Sequence, residues 1–162
     1  MFVNYAMPDI AAFENKVTTD TAIVAPGSRI SIEPNRGKIH FAASDRLELD
    51  FTLSSDPPRW MELSFMLPSE EWKACRQIFL KYRASGTGIK VRQAIRLGND
   101  SGFHDQFGTE IPRIGDAVAE VGSEFRLTPK AVEATEWMDL KIFFEPTVGR
   151  FNLYELFLTG VR

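Results

Sequence analysis

Several segments of this sequence alternate apolar residues with aromatic, acidic and basic ones. Residues 137–144 are the clearest example, because Trp137, Asp139 and Lys141 alternate there with apolar side chains. Successive side chains of a strand point to opposite sheet faces, so such segments place their polar members on one face. The residues that this pattern assigns to the polar face are Trp60, Glu62, Tyr82, Arg92, Arg96, Trp137, Asp139 and Lys141.

This set of side chains suits the binding of a sugar or a related small polar ligand. Aromatic rings pack on the C–H faces of a sugar, while carboxylates and guanidinium groups hydrogen-bond to its hydroxyls. The same residues also fit a solvated outer face, where Arg92 or Arg96 pairs with an acidic side chain and the N-terminal arm covers the aromatic rings. A third interpretation is a glycoside hydrolase, which needs Glu62 and Asp139 to face each other across about 5–10 Å.

Residues 98–115 interrupt the alternation and predict a long loop. Loops of this length in compact domains often carry function, so we expect this one to assist ligand binding, with His104 and Asp105 in contact with the ligand. Oxygen ligands in the same segment could also hold a structural calcium ion, although the spacing is not that of an EF-hand loop. The candidate ligands are Asn99, Asp100, His104, Asp105 and Gln106.

The spacing of strands and turns predicts an all-β fold. Residues 46–53 alternate without an error, and turn residues recur about every eight to ten positions. Two hairpins are predicted, one joining residues 77–84 to 88–97 and the other joining 137–144 to 150–158. The last strand is apolar on both faces, which indicates either a bulge near Glu155 or a second face that is covered. With no βαβ spacing, the fold class is an antiparallel two-sheet jelly-roll β-sandwich with one or two short connecting helices.

Composition narrows the function classes. The chain has 162 residues, 44% of them apolar, which predicts a single domain over 1–162 with residues 1–20 as an arm packed on it. A net charge of −3 argues against nucleic acid as a partner. No apolar run approaches the roughly 20 residues of a membrane span and no signal peptide is evident, so we expect a cytoplasmic protein. Cys75 is the only cysteine, which excludes an intrachain disulfide, and no nucleophile motif surrounds it.

The order of the strands resembles the galactose-binding-domain-like jelly roll, a β-sandwich family that includes many carbohydrate-binding modules. The resemblance spans roughly residues 38 to 162 and is carried by the order of strands rather than by a specific motif. Its segments are Leu-Glu-Leu-Asp-Phe at 47–51, Trp-Met-Glu-Leu-Ser-Phe at 60–65, Val-Arg-Gln-Ala-Ile-Arg at 91–96, residues 137–144, and the closing strand at 151–160. It implies a sugar site on a concave sheet face or at the loop end, often with a structural calcium ion.

The leading hypothesis is therefore non-catalytic glycan binding through a concave sheet face and the 98–115 loop, with no catalytic residue and no protein-ligated metal in the site. The alternative is a protein-interaction or self-assembly module of the same fold, in which the partner is another protein or a second copy of the chain. A glycoside hydrolase is the third hypothesis. Neither nucleic acid nor a membrane is expected as a partner.

Overall fold

The computed structural model describes residues 2–7, 21–23, 29–31, 37–43, 46–53, 61–128, 132–145 and 147–162. Within these ranges the chain forms thirteen strands and one short helix. The elements are β1 (Phe2–Ala6), β2 (Thr21–Ile23), β3 (Arg29–Ser31), β4 (Gly37–Ala43), β5 (Arg46–Leu53), β6 (Met61–Leu67), α1 (Ser69–Trp72), β7 (Gln77–Gly86), β8 (Ile89–Asn99), β9 (Gly102–Phe107), β10 (Arg113–Ile114), β11 (Ala119–Arg126), β12 (Trp137–Phe144) and β13 (Thr147–Val161). No helix among the described residues is long and apolar enough to cross a membrane.

The strands form two antiparallel sheets, which confirms the predicted β-sandwich. The six-stranded sheet has the order β11-β7-β13-β5-β4, and β1 pairs with β13. The seven-stranded sheet has the order β10-β8-β12-β6-β3-β2, and β9 pairs with β8. Residues 2–6 of the predicted N-terminal arm are therefore a strand of the six-stranded sheet. The apolar residues of each strand that point between the sheets form the core, where Phe144 and Phe151 meet edge to face with centroids 4.9 Å apart.

Both predicted hairpins are wrong. β7 pairs with β11 and β13, whereas β8 pairs with β9, β10 and β12, so the chain crosses from one sheet to the other between them. The same holds for β12 and β13, which lie in different sheets. Alternation and turn residues are the same for a strand pair within one sheet and for a connection between sheets. The edges of β12 and β13 are occupied by other strands, and that non-local pairing decides the topology.

The predicted long loop at residues 98–115 is also wrong. β8 continues to Asn99 and turns back at Gly102 into β9, which pairs with it from Asn99↔Gly102 to Ala94↔Phe107. The turn is stabilised by the Ser101 backbone N–H, which donates to Asn99 Oδ1 at 2.8 Å. β9 is an edge strand in which three consecutive polar residues separate Phe103 from Phe107, so it lacks the alternation of apolar and polar side chains that predicts a strand. Only residues 108–112 connect β9 to β10.

The bulge predicted near Glu155 is confirmed. β13 pairs Leu153 with Ala84 and then Glu155 with Arg83, so Tyr154 is the extra residue. One additional residue in a strand reverses the facing of the positions that follow it. Leu153 and Leu156 are accordingly both buried although they are three positions apart. The bulge lets one long strand contribute apolar residues of both parities to the same core.

Tyr82 lies inside the core, in contrast to its predicted place on the polar face. Its side chain is fully buried, and its hydroxyl accepts a hydrogen bond from Gln93 Nε2 at 2.7 Å. Tyr82 and Gln93 come from opposite sheets and form a polar contact across the sandwich. Alternation along β7 predicts a common face for Tyr82, Leu80 and Ala84, and the two apolar neighbours show that this is the core face.

The buried phenol predicts that the fold loses stability in alkaline solution. Burial raises the pKa of Tyr82 well above its ordinary value of 10.0, against a smaller lowering by the Gln93 hydrogen bond. Above about pH 10 the unfolded chain releases this proton and the folded chain keeps it, so the free energy of unfolding falls as the pH rises. Tyr82→Phe is expected to cost roughly 1–2 kcal/mol at pH 7, because Gln93 loses its partner.

Urea unfolding between pH 7 and about pH 11 measures both effects. The stability difference between wild type and Tyr82→Phe should narrow as the pH rises, because the variant lacks the titrating phenol. Parallel pH profiles for the two proteins would contradict the assignment. Tyr154→Phe is the control, since the Tyr154 hydroxyl lies at 3.3 Å from Ser85 Oγ in a half-buried position outside the core.

Candidate functional site

The outer face of the seven-stranded sheet brings most of the predicted site residues together. We call it the charged face. The strands β6, β12, β8 and β9 run side by side, and their registers align Met66 with Asp139, Arg96 and Asp105 in one row. The residues that define the charged face are Glu62, Ser64, Met66, Arg92, Arg96, Phe103, Asp105, Phe107, Trp137, Asp139, Lys141 and Phe143.

An aromatic surface lies at one end of the charged face. Trp137 and Phe103 flank Gly98 on the neighbouring strands, and their side chains are 38% and 60% exposed. The Trp137 ring occupies the space above Gly98, because a Cβ atom on Gly98 would overlap Trp137 Cζ2 and Cε2. The absence of a side chain at Gly98 therefore lets the indole lie across β8 towards Phe103.

Lys141 holds an ion cluster in the middle of the charged face. Its side chain is 9% exposed, and Nζ donates to Ser64 Oγ at 2.6 Å. The same Nζ lies 3.5 Å from Glu62 Oε2 and 3.6 Å from Asp139 Oδ2. Both carboxylates thus belong to one cluster around a single ammonium group.

Arg96 and Asp105 form a bidentate pair beside this cluster. Arg96 Nε and Nη2 donate to the two Asp105 carboxylate oxygens at 2.7 and 2.9 Å. These hydrogen bonds raise the pKa of Arg96 against a smaller lowering by burial, so the guanidinium stays charged. Its Cζ atom also lies 3.9 Å from the centre of the Phe103 ring, and Nη1 lies 3.6 Å from Glu62. The geometry fixes Arg96 in one position by planar hydrogen bonding and stacking.

Arg92 lies on the same strand, three rows away from the aromatic end. Its Cζ atom is 3.7 Å from the centre of the Phe107 ring, a stacking distance for a guanidinium. The Phe107 ring in turn lies 6.0 Å from Phe143, centroid to centroid. Arg92 Nε is shielded from solvent and donates no hydrogen bond.

The structure does not bring every predicted residue to this face. Trp60 lies outside the described residues, and Tyr82 is in the core. His104 pairs with Leu97, a core-facing residue, so its side chain points away from the charged face. It lines a surface cleft of about 350 Å³ with Asn99 and Thr135, and Gly98 and Phe103 line the same cleft. The other predicted residues, Glu62, Arg92, Arg96, Asp105, Trp137, Asp139 and Lys141, share the charged face.

Sequence reasoning missed the aromatic residues of β9 and the role of Gly98. The register of β9 with β8 places Phe103, Asp105 and Phe107 on one face. Because that set contains an acidic residue and the other parity is polar as well, the segment has no apolar–polar alternation that would mark a strand. No sequence signal indicates that Gly98 lies beneath Trp137, because that contact depends on which strand pairs with β8.

The described residues contain no cluster of three or more His, Cys, Asp or Glu side chains that could hold a metal ion. Glu62 and Asp139, the pair considered for glycoside hydrolysis, both contact Lys141 Nζ. A glycosidase needs one carboxyl group as the acid and the other as a base or nucleophile. Glu62 and Asp139 instead lie beside one ammonium group and belong to the ion cluster.

Comparison with known proteins shows the fold. No protein-family model matches this sequence, and no curated protein matches it in sequence. Solved structures of carbohydrate-binding modules (CBMs) match it over nearly the whole chain. A CBM4 structure superposes with a TM-score of 0.63 at 8% identity and covers 93% of this chain and 97% of its own.

Two xylan-binding modules superpose similarly. The xylan-binding module CBM15 has a TM-score of 0.60 at 10% identity, with 99% of this chain and 97% of that chain covered. The CBM22-1 xylan-binding domain of Xyn10C from Paenibacillus barcinonensis has a TM-score of 0.57 at 9% identity, with 94% and 92% covered. The chain therefore has the β-sandwich fold of carbohydrate-binding modules, which confirms the resemblance drawn from the order of its strands.

Proposed function

We propose that this protein binds a glycan on the charged face without transforming it. The observation that carries the proposal is the aromatic surface of Trp137 and Phe103 over Gly98, next to a row of ion-paired donors and acceptors. Exposed rings offer apolar area to the C–H faces of a sugar, and the fixed polar groups direct its hydroxyls. The likeness in fold to xylan-binding modules supports the same class of ligand.

Preorganisation is the physical basis of this recognition. The polar groups of the charged face are already held by one another, as in the Arg96–Asp105 pair. A ligand that meets groups fixed in this way loses little affinity to the ordering of side chains. The aromatic end supplies the apolar contact, and the charged residues in the centre of the face orient the sugar through directed hydrogen bonds to its hydroxyls.

Calorimetric titration with a panel of xylan, glucan, mannan, galactan and uronate oligosaccharides tests the proposal. Trp137→Ala is expected to weaken binding about tenfold or more, because an indole that covers the ligand is lost. Gly98→Ala keeps the indole but displaces it, so we expect a similar loss. Phe79→Ala is the matched control, since Phe79 is an equally exposed aromatic residue on the opposite sheet.

Unchanged affinity in Trp137→Ala, an equal loss in Phe79→Ala, or no binding to any glycan would contradict the proposal.

The interaction-module hypothesis stays a second candidate, because Phe2, Phe79 and Phe157 are exposed together on the outer side of the six-stranded sheet. Sedimentation of wild type and of Phe79→Ala at increasing protein concentration tests the self-association part of this hypothesis, with the same variant that serves as the control for glycan binding.

A further inference from the structure

Arg92 differs from Arg96 and Lys141 in having no anionic partner within the described part of the chain. Among the described residues its side chain makes one specific contact, the stacking on Phe107 at 3.7 Å. No hydrogen bond satisfies Nε, which is shielded from solvent. The side chain is half-buried, so this guanidinium has given up part of its hydration without gaining a counter-charge.

The neighbouring cations of the charged face, unlike Arg92, have hydrogen-bond and ion-pair partners. Arg96 holds Asp105 with two hydrogen bonds, and Lys141 contacts Ser64, Glu62 and Asp139. Three carboxylates of the charged face are thus used by these two cations. None of them has a described contact with Arg92, so the positive charge at this position is uncompensated.

Lys90 extends the positive charge. It precedes Arg92 by two positions on β8 and therefore continues the same face, about 7 Å further along the strand. The described contacts of Lys90 are made by its backbone, to Glu145. Arg113, which lies opposite Lys90 on β10, already has Glu145 within 3.4 Å. The charged face is consequently aromatic and balanced at the Trp137 end but cationic at the Arg92 end.

We propose that the ligand is an acidic glycan, whose uronate carboxylate is bound by Arg92. The inference rests on the proposed function and names the substrate class. A guanidinium is a planar fork that binds a carboxylate with two parallel hydrogen bonds, and stacking on Phe107 holds the plane of the fork before the ligand arrives. The sugar ring that bears the carboxylate then lies beside the Phe107 and Phe143 rings, which are 6.0 Å apart.

The test compares ligands that differ only in the carboxylate. Oligouronates and their carboxyl-reduced, neutral counterparts are titrated into wild-type protein by calorimetry. Wild type is expected to bind the uronate form about 10- to 100-fold more tightly, because charge-assisted hydrogen bonds are the stronger kind. Added salt should weaken the uronate complex and leave the neutral one nearly unchanged. Equal affinity for the two forms would overturn the inference.

Substitutions of Arg92 test whether this residue causes the preference for the uronate form. Arg92→Gln should reduce the uronate affinity to that of the neutral sugar, and Arg92→Lys, which keeps the charge but loses the fork, should recover only part of it. Arg83→Gln on the opposite sheet is the matched control. A uronate preference that survives in Arg92→Gln, or tighter binding of sulfated than of uronate oligosaccharides, would overturn the carboxylate assignment.

The outcomes separate this inference from the proposed function. Binding of the neutral forms without a uronate preference keeps glycan binding and removes the acidic ligand. No binding of either form contradicts both. Thermal melting of each variant verifies that it is folded, and an equal fold-loss of affinity for the uronate and neutral forms in Arg92→Gln would overturn the carboxylate assignment.

Discussion

Lys141→Met is expected to lower the free energy of unfolding by about 3 kcal/mol. Methionine replaces the aliphatic part of the lysine side chain, so packing changes little. Loss of the ammonium group leaves Glu62 and Asp139, at 3.5 and 3.6 Å from Nζ, without their shared cation. Removal of one partner of a buried ion pair costs roughly 3–5 kcal/mol. Glu62 is 32% exposed, which places the loss at the lower end of that range.

Urea unfolding at pH 7 measures this loss, and Lys81→Met is the matched control. Lys81 also pairs with a carboxylate, Glu120 at 3.5 Å, but both side chains are more than half exposed. Exposed ion pairs contribute up to about 1 kcal/mol, so the control should change little. In a Lys141→Met background, Asp139→Asn should restore part of the stability, because it removes one of the two carboxylates that lose the Lys141 ammonium group. Equal small losses in the two lysine variants would show that the cluster does not stabilise the fold.

Gly160→Ala is expected to destabilise the fold by about 2 kcal/mol through overpacking. A Cβ atom at Gly160 would lie 2.5 Å from Cys75 Sγ and 2.9 Å from Trp72 Cζ3. Both side chains are buried, so neither can move without disturbing its own neighbours. Burial also raises the pKa of the Cys75 thiol, against a smaller lowering by Arg162. Cys75 therefore acts as a neutral packing group, as the lack of a surrounding motif indicated.

Gly122→Ala is the control for this substitution, because Gly122 lies in the same sheet and the nearest atom to its Cβ would be Leu80 O at 3.8 Å. We expect that variant to be as stable as wild type or slightly more stable. The Cys75→Ala background supplies a sharper test, since it removes the closest of the clashing atoms. Gly160→Ala should cost less in that background. A cost that is the same in both backgrounds would contradict the packing explanation.

The sequence predicted part of the candidate site, because the sheet face to which a side chain points is set by its position within its own strand. Trp137, Asp139 and Lys141 were expected on one face and share it, because the alternation of β12 needs no knowledge of its neighbours. Tyr82 was placed wrongly although the alternation of β7 groups it with the buried residues Leu80 and Ala84. Its strand was assigned to a hairpin with β8, which would have put Tyr82 and Arg92 in one sheet, whereas β7 lies in the other sheet.

Local sequence determined most of the strands, the class of the fold and the unusual apolar pattern of β13. The two-residue period of side chains is set within each segment by backbone geometry, so β5 has the predicted bounds of residues 46–53. The apolar residues of both parities around Glu155 predicted either a bulge or a covered second face, and the bulge is the one that forms. These features depend on residues that are close in the chain.

Tertiary structure alone decided which strands are neighbours, and with that the composition of the charged face. Backbone N–H and C=O groups pair equally well with any strand, so pairing is chosen by the packing of the whole core. That choice places β9 beside β8, Trp137 over Gly98, and Arg92 on Phe107. The residue types needed for binding are present in the sequence, but their arrangement into one surface arises from contacts between distant segments.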